Sequence, residues 1–157
     1  MSNGELVVYH TIVKLIARKN FEKINSKKYD SLLASCSPDI RHSFGGSHAL
    51  GGVRHDREAL RRWFERLGRI MPTLKLTVND VWVKGWPGNT TAIIRWDGAA
   101  TLADNAPYHN HGVHIIKMRW GKVTDIDANE DSQAVTEGLL VQSKNGIPEA
   151  TAAQILS

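Results

Sequence analysis

Apolar residues recur at helical spacing in four stretches of the chain, and five others read as extended. Residues 4–24 read as an amphipathic helix, with Leu6, Tyr9, Val13 and Ile16 on one face and Val8, Ile12 and Leu15 beside it. Residues 26–35 read as a short helix with Ser26 at its N-cap, and Pro38 follows it. The clearest pattern is 57–71: Ala59, Leu60, Trp63, Phe64, Leu67, Ile70 and Met71 share one side, Asp56 caps the start and Pro72 ends it. A last helix is expected over Ser132 to Leu140, capped by Asp131.

The extended segments are "DIRHSF" at 39–44, then 73–86, 90–101, 107–119 and 122–130. In "TLKLTVNDVWVKGW", Leu74, Leu76 and Val78 have one parity, and Val81 and Val83 the other. One extra residue near Asn79-Asp80, a β-bulge in a bent strand, reconciles them. Helices gathered on one side of a curved antiparallel sheet define an α+β fold with a cone-shaped hollow, suited to a small apolar molecule. One domain over residues 1–157 is expected, with its core at about 5–140 and a tail at 141–157 that adds a helical turn or packs on its neighbours.

Composition narrows the function classes. Hydrophobic residues make up 41% of the 157 and charged residues 23%, ordinary for a globular chain. The formal charge is +4 and the isoelectric point about 9.3. The positive charge is spread along the chain. Its one dense cluster (Arg57, Arg61, Arg62, Arg66, Arg69) is interrupted by Glu58 and Glu65, so no nucleic-acid partner is expected. The N-terminal stretch has neither a signal-peptide pattern nor a membrane-length apolar run. A single cysteine, Cys36, fits a reducing compartment, and a cytoplasmic location is expected. The glycine-rich "GGSHALGG" lacks the Gly-Lys-Ser/Thr ending of a phosphate-binding loop.

The element order, with "HALGGVRHDREALRRWFERL", "VWVKGWPGNTTAIIRWDG", "YHNHGVHIIKMRWGKV" and "EDSQAV", resembles the nuclear transport factor 2-like superfamily. The resemblance is to its SnoaL-like branch, with polyketide cyclases, ketosteroid isomerase, scytalone dehydratase and limonene epoxide hydrolase. It implies a cystatin-like curved sheet wrapped around helices, a homodimer and no cofactor. Arg95-Trp96-Asp97 is similar to the Arg-x-Asp of the epoxide hydrolase, whose aspartate is a general acid oriented by the arginine. The hydrolase's second aspartate falls at Ala128, and its water-holding residues fall near His42 and Phe44. Over ketosteroid isomerase, the general-base aspartate falls near His42 and the oxyanion-hole aspartate near His114. Two imidazoles in place of two carboxyls suit proton chemistry near neutral pH.

These positions give the candidate chemistry. Arg95 and Asp97 share a strand face about 7 Å apart. They are either a solvated pair or the end of a pocket, and the family spacing favours the pocket. His42 and Asp97 are expected to transfer protons, Arg95 to hold Asp97, and His114 to polarise a substrate oxygen. Trp63, Leu67, Asn110, Ile116, Met118, Ile126, Ala128 and Glu130 are expected to line the substrate site. Each histidine has a structural alternative: His42 as a loop residue bonded to backbone, His114 as a satisfied core residue. His109, His111 and His114 form H-x-H-x-x-H, but on a strand the first two face away from the third, so no metal site is expected. The expected function is isomerase, cyclase, dehydratase or hydrolase chemistry on a small apolar substrate. The alternative is a non-catalytic module binding a ligand or protein.

Overall fold

The computed structural model describes residues 1–157. Its order is α1 (Asn3–Asn25), α2 (Tyr29–Leu33), β1 (Cys36–Phe44), β2 (Gly52–Arg54), α3 (Arg57–Ile70), β3 (Lys75–Trp86), β4 (Asn89–Thr101), β5 (Pro107–Arg119), β6 (Lys122–Glu130) and α4 (Ser132–Lys144). A 3₁₀ turn at Pro148–Thr151 follows. The six strands form one sheet in the order β2-β1-β6-β5-β4-β3. β1 runs parallel to β6, and every other pairing is antiparallel. The fold is the expected α+β arrangement on a curved sheet.

The caps and the bulge follow from local chemistry. Asp56 accepts from the Ala59 amide at 2.7 Å and starts α3; Asp131 accepts from Gln133 and Ala134 and starts α4. The register of β3 on β4 slips between Val78 and Asp80, where the parity of the sequence changes. That slip turns Leu76 and Val78 before it, and Val81 and Val83 after it, toward the helices.

Four expectations change. Ser26 is the C-cap of α1, with its amide bonded to the Glu22 and Ile24 carbonyls, and α2 shrinks to five residues. β1 starts at Cys36 and runs through Pro38, and part of the glycine-rich stretch becomes β2. α4 is longer than expected and reaches Lys144. The buried stripe of α1 is Val13, Ala17 and Phe21, while Val7, Val8, Ile12, Leu15 and Ile16 are exposed. Side-chain hydrogen bonds fix that rotation. Asn25 donates to the Leu76 carbonyl and accepts from its amide, both at 2.8 Å, and the Tyr9 hydroxyl meets Thr90 Oγ1 at 2.5 Å.

Two groups of buried side chains form the interior. The larger includes Leu33, Ile40, Leu60, Trp63, Phe64, Ile70, Tyr108 and Leu139; the smaller is Ala17, Phe21, Val81, Ile94 and Trp96. Gln142 ties α4 to this body, donating to Ile70 O and accepting from the Ala103 amide at 2.7 Å each. No helix is long and apolar enough to cross a membrane.

Candidate functional site

A hollow lies where the two buried groups meet. Its empty space, including the mouth, is about 980 Å³, and 18 of its 23 lining residues are hydrophobic. β5 and β6 place Asn110, His114, Ile116 and Ile126 on its sheet wall, and β1 places His42 and Phe44. α3 supplies Trp63, Phe64 and Leu67, and α1 supplies Asn20, Phe21 and Ile24. No aspartate or glutamate lines it.

The two imidazoles are held in a defined state. His42 is 1% exposed and stacks edge-on to Trp63 at 4.5 Å. Its Nδ1 lies 2.6 Å from Arg54 Nη1. His114 Nδ1 lies 2.7 Å from Trp96 Nε1, and its ring packs against Phe21 at 5.4 Å. A guanidinium and an indole N–H can only donate. Both Nδ1 atoms therefore accept, and both rings carry their proton on Nε2. Neither Nε2 has a hydrogen-bond partner in the protein. Charge points the same way. Burial first, then Arg54, proximity to the His114 ring and Arg41, hold His42 well below the ordinary histidine range. Burial pulls His114 down to about 4, against a smaller opposing effect of Asp127. The hollow thus contains two neutral imidazoles, each with an N–H free to donate.

A glycine makes this geometry possible. Gly112 faces Trp96 across the β4–β5 pairing, and a Cβ there would lie 2.4 Å from the Asn129 carbonyl oxygen and 2.6 Å from the indole. Its absence lets the indole lie across β5 and reach His114.

The other polar groups are mostly satisfied. Asn110 donates to the Tyr108 hydroxyl and the Asp131 carbonyl, and accepts from the His111 and Asp131 amides. Trp63 Nε1 donates to Leu50 O at 2.7 Å. Cys36 Sγ lies 3.8 Å from Leu32 O, and burial pushes its thiol up to about 11. Tyr108 Oη accepts from Asn110, which leaves its own proton available.

The expected site residues divide clearly. His42, His114, Trp63, Leu67, Asn110, Ile116 and Ile126 line the hollow together. Three do not touch it. Met118 is half-buried against the larger core group. Ala128 is 2% exposed, in register between Phe44 and His114. Glu130 stands further along β6 with Ser132 bonded to Oε1, while its Oε2 is buried without a partner. Burial raises the Glu130 carboxyl above the usual range.

Arg95 and Asp97 require a correction. Both are exposed on the outer face of the sheet, and Asp97 accepts from Asn79 Nδ2 at 2.6 Å. The physical reason is parity. Ile94 and Trp96 are 1% and 5% exposed and claim the inner face, so their neighbours must face water. Asp97 belongs to an outer depression with Lys75, Thr77, His109 and His111. His109 and His111 therefore point away from His114, and no group of three His, Cys, Asp or Glu side chains converges.

Sequence reasoning missed Arg54, Tyr108 and Phe21 as site residues. Tyr108 was open to inference, because it shares the parity of Asn110 and His114. Arg54 carries no signal, since the three residues of β2 are too few to show an alternating pattern.

The curved sheet, the helices on its inner side and the apolar hollow with a few polar groups define the chain as a nuclear transport factor 2-like protein. The model of the SnoaL-like domain family matches residues 17–126, and the chain belongs to that family. Among solved structures, the chain is similar to PrhC from Penicillium brasilianum, with a TM-score of 0.72 and 16% identity over 87% of this chain and 91% of that one. An NTF2-like protein from Burkholderia pseudomallei gives 0.67 and 14%, over 88% and 98%. TerC, co-crystallised with polyporic acid, gives 0.66 and 16%, over 76% and 91%. No functionally curated protein matches the sequence.

Proposed function

We propose that this chain is a small-molecule enzyme of the SnoaL-like type, acting on a mostly apolar substrate that bears a carbonyl or enol oxygen. One observation carries the reading: two neutral imidazoles with free Nε2–H groups share an apolar hollow with no lining carboxylate. Fixed donors in a water-poor site stabilise negative charge where it develops, as an enolate oxygen does during isomerisation, cyclisation or dehydration. His42 and His114 then act as donors, and a proton-abstracting role for His42 is dropped, because its Nδ1 is occupied and its Nε2 already carries a proton. Tyr108 Oη adds a third donor. No lining residue is placed to remove a proton: Glu130, with its raised carboxyl and unpartnered Oε2, stands near Tyr108 but outside the hollow.

The second reading is a binding module of the same fold. The missing carboxylate in the lining favours it. One experiment separates the two: deuterium exchange at the acidic carbon of small cyclic ketones and 1,3-diketones, followed by proton NMR. The enzyme reading predicts exchange above the solvent rate, falling about 10²-fold in His42→Phe or His114→Phe. Binding without exchange supports the module.

A further inference from the structure

Behind His42 stands a cation with no counter-ion. Arg54 is 0% exposed. Its Nε donates to Ile155 O at 3.0 Å, its Nη2 to Gly51 O at 2.9 Å and its Nη1 to His42 Nδ1 at 2.6 Å. Its Cζ lies 5.5 Å from the Trp63 ring centre. The ion pairs of the molecule join Arg41, Arg61, Arg66 and Arg69 to carboxylates, and none includes Arg54. The charged neighbour that bears on it is another cation, Arg66, itself 3.3 Å from Glu149. Around His42 the nearby charges are equally one-sided: Arg54 from β2 and Arg41 from β1, with neutral His114 from β5.

A guanidinium taken out of water and given only neutral acceptors is costly. A structural arginine in such a place is ordinarily matched by a carboxylate. Here the position opposite it, across the imidazole, is the empty hollow. An imidazole whose Nδ1 accepts from a cation becomes a stronger donor at Nε2, since linked hydrogen bonds polarise one another. The series Arg54, His42 Nδ1, His42 Nε2–H ends where a ligand oxygen would sit. An anionic oxygen there would supply the missing negative charge through a charge-assisted bond.

We propose that Arg54 is a positioning residue that acts through His42 and makes the hollow take its ligand as an oxyanion, the ligand class being phenols and enols on an apolar body. The inference rests on the donor roles given above to His42 and His114. Arg54 sets the tautomer of His42 and strengthens its donor without touching the ligand. Its other two bonds, to Gly51 and Ile155, hold the guanidinium against the loop before β2 and the segment after the 3₁₀ turn, so the donor is aimed before any ligand arrives.

The test uses 4-nitrophenol, whose neutral and ionised forms absorb at different wavelengths, and 4-nitroanisole, which cannot ionise. Both are titrated into the full chain at a pH where free 4-nitrophenol is mostly neutral. The expected result is that bound 4-nitrophenol shows the phenolate spectrum. Arg54→Met should weaken its binding by about 10- to 100-fold and return the bound dye to the neutral form, as loss of a charge-assisted hydrogen bond implies. Arg54→Lys, which keeps the charge, should retain the phenolate spectrum. Affinity for 4-nitroanisole should stay within about twofold throughout. If Arg54→Met does not fold, the wild-type spectrum and Arg54→Lys still decide. A neutral bound dye in the wild type, no binding of the dye, or an unchanged spectrum in Arg54→Met overturns the proposal. His42→Phe and His114→Phe separate this failure from the failure of the donor reading. If they leave dye affinity unchanged, the donor reading falls. If they weaken it while the dye stays neutral, only the role of Arg54 falls.

Discussion

The two faces of β4 and β5 carry similar chemistry in sequence and opposite chemistry in space. On the outer face, Arg95, Asp97, His109 and His111 are exposed and surrounded by water. On the inner face, Trp96, Asn110 and His114 meet an apolar hollow. Outside, water solvates each charge and no partner is required. Inside, every polar atom must find a partner or wait for one. Asn110 finds four; the Nε2 atoms of His42 and His114 find none. Charged side chains draw attention in a sequence, but in this molecule the neutral buried ones are placed to meet a ligand.

Mutations can break that comparison, and the largest effect is expected from Trp96→Ala. It removes an indole that is 5% exposed and frees His114 Nδ1, and should cost about 3–5 kcal/mol in denaturant unfolding. A cost near zero would mean that the inner face is not packed as described.

Acid should act next. His114 is held near 4 in the fold and returns to about 6.5 when unfolded, and His42 is lowered in the same sense. Between those values the unfolded chain binds more protons than the folded one. Stability is therefore unaffected by these groups above about 6.5, falls as the pH drops toward 4, and loses up to about 3 kcal/mol through His114. Unfolding free energies measured across this window should slope more steeply in the wild type than in His114→Phe; equal slopes would place a charged imidazole in the hollow.

For ligand binding, His114→Phe should weaken 4-nitrophenol by about tenfold or more, the worth of a hydrogen bond to a charged partner. Arg95→Ala should leave it unchanged by calorimetry. The reverse order would return the chemistry to the outer face.

Gly112→Ala sharpens the link between the strands. Its methyl would meet the Asn129 carbonyl oxygen on β6 as well as the Trp96 indole, straining the strand pairing and pushing the indole off His114, at a cost of about 1–3 kcal/mol. Smallest of all, Asp97→Asn should change stability by less than about 0.5 kcal/mol.

The fold was legible because its signals are local and redundant. The α3 stripe with its Asp56 cap and the parity switch before Asp80 each fix an element without knowledge of distant residues. The rotation of α1 was not legible, because it has apolar residues all round. Asn25 and Tyr9 choose the buried side through bonds to β3 and β4, some 50 to 80 residues away in sequence. Half of the site followed from parity, which puts Asn110, His114 and Ile116 on one face. The same rule, with the bulk of Ile94 and Trp96, puts Asp97 outside; it is the family spacing that misplaces it. Arg54 lies on a three-residue strand whose partner, β1, is set by pairing rather than by pattern.

The account rests on the protonation of two rings. A long-range proton–nitrogen correlation spectrum of the ¹⁵N-labelled protein near neutral pH reads it directly. His42 and His114 should both show a bare Nδ1 and a protonated Nε2. A proton on Nδ1 of either ring, or an imidazolium, would contradict the account.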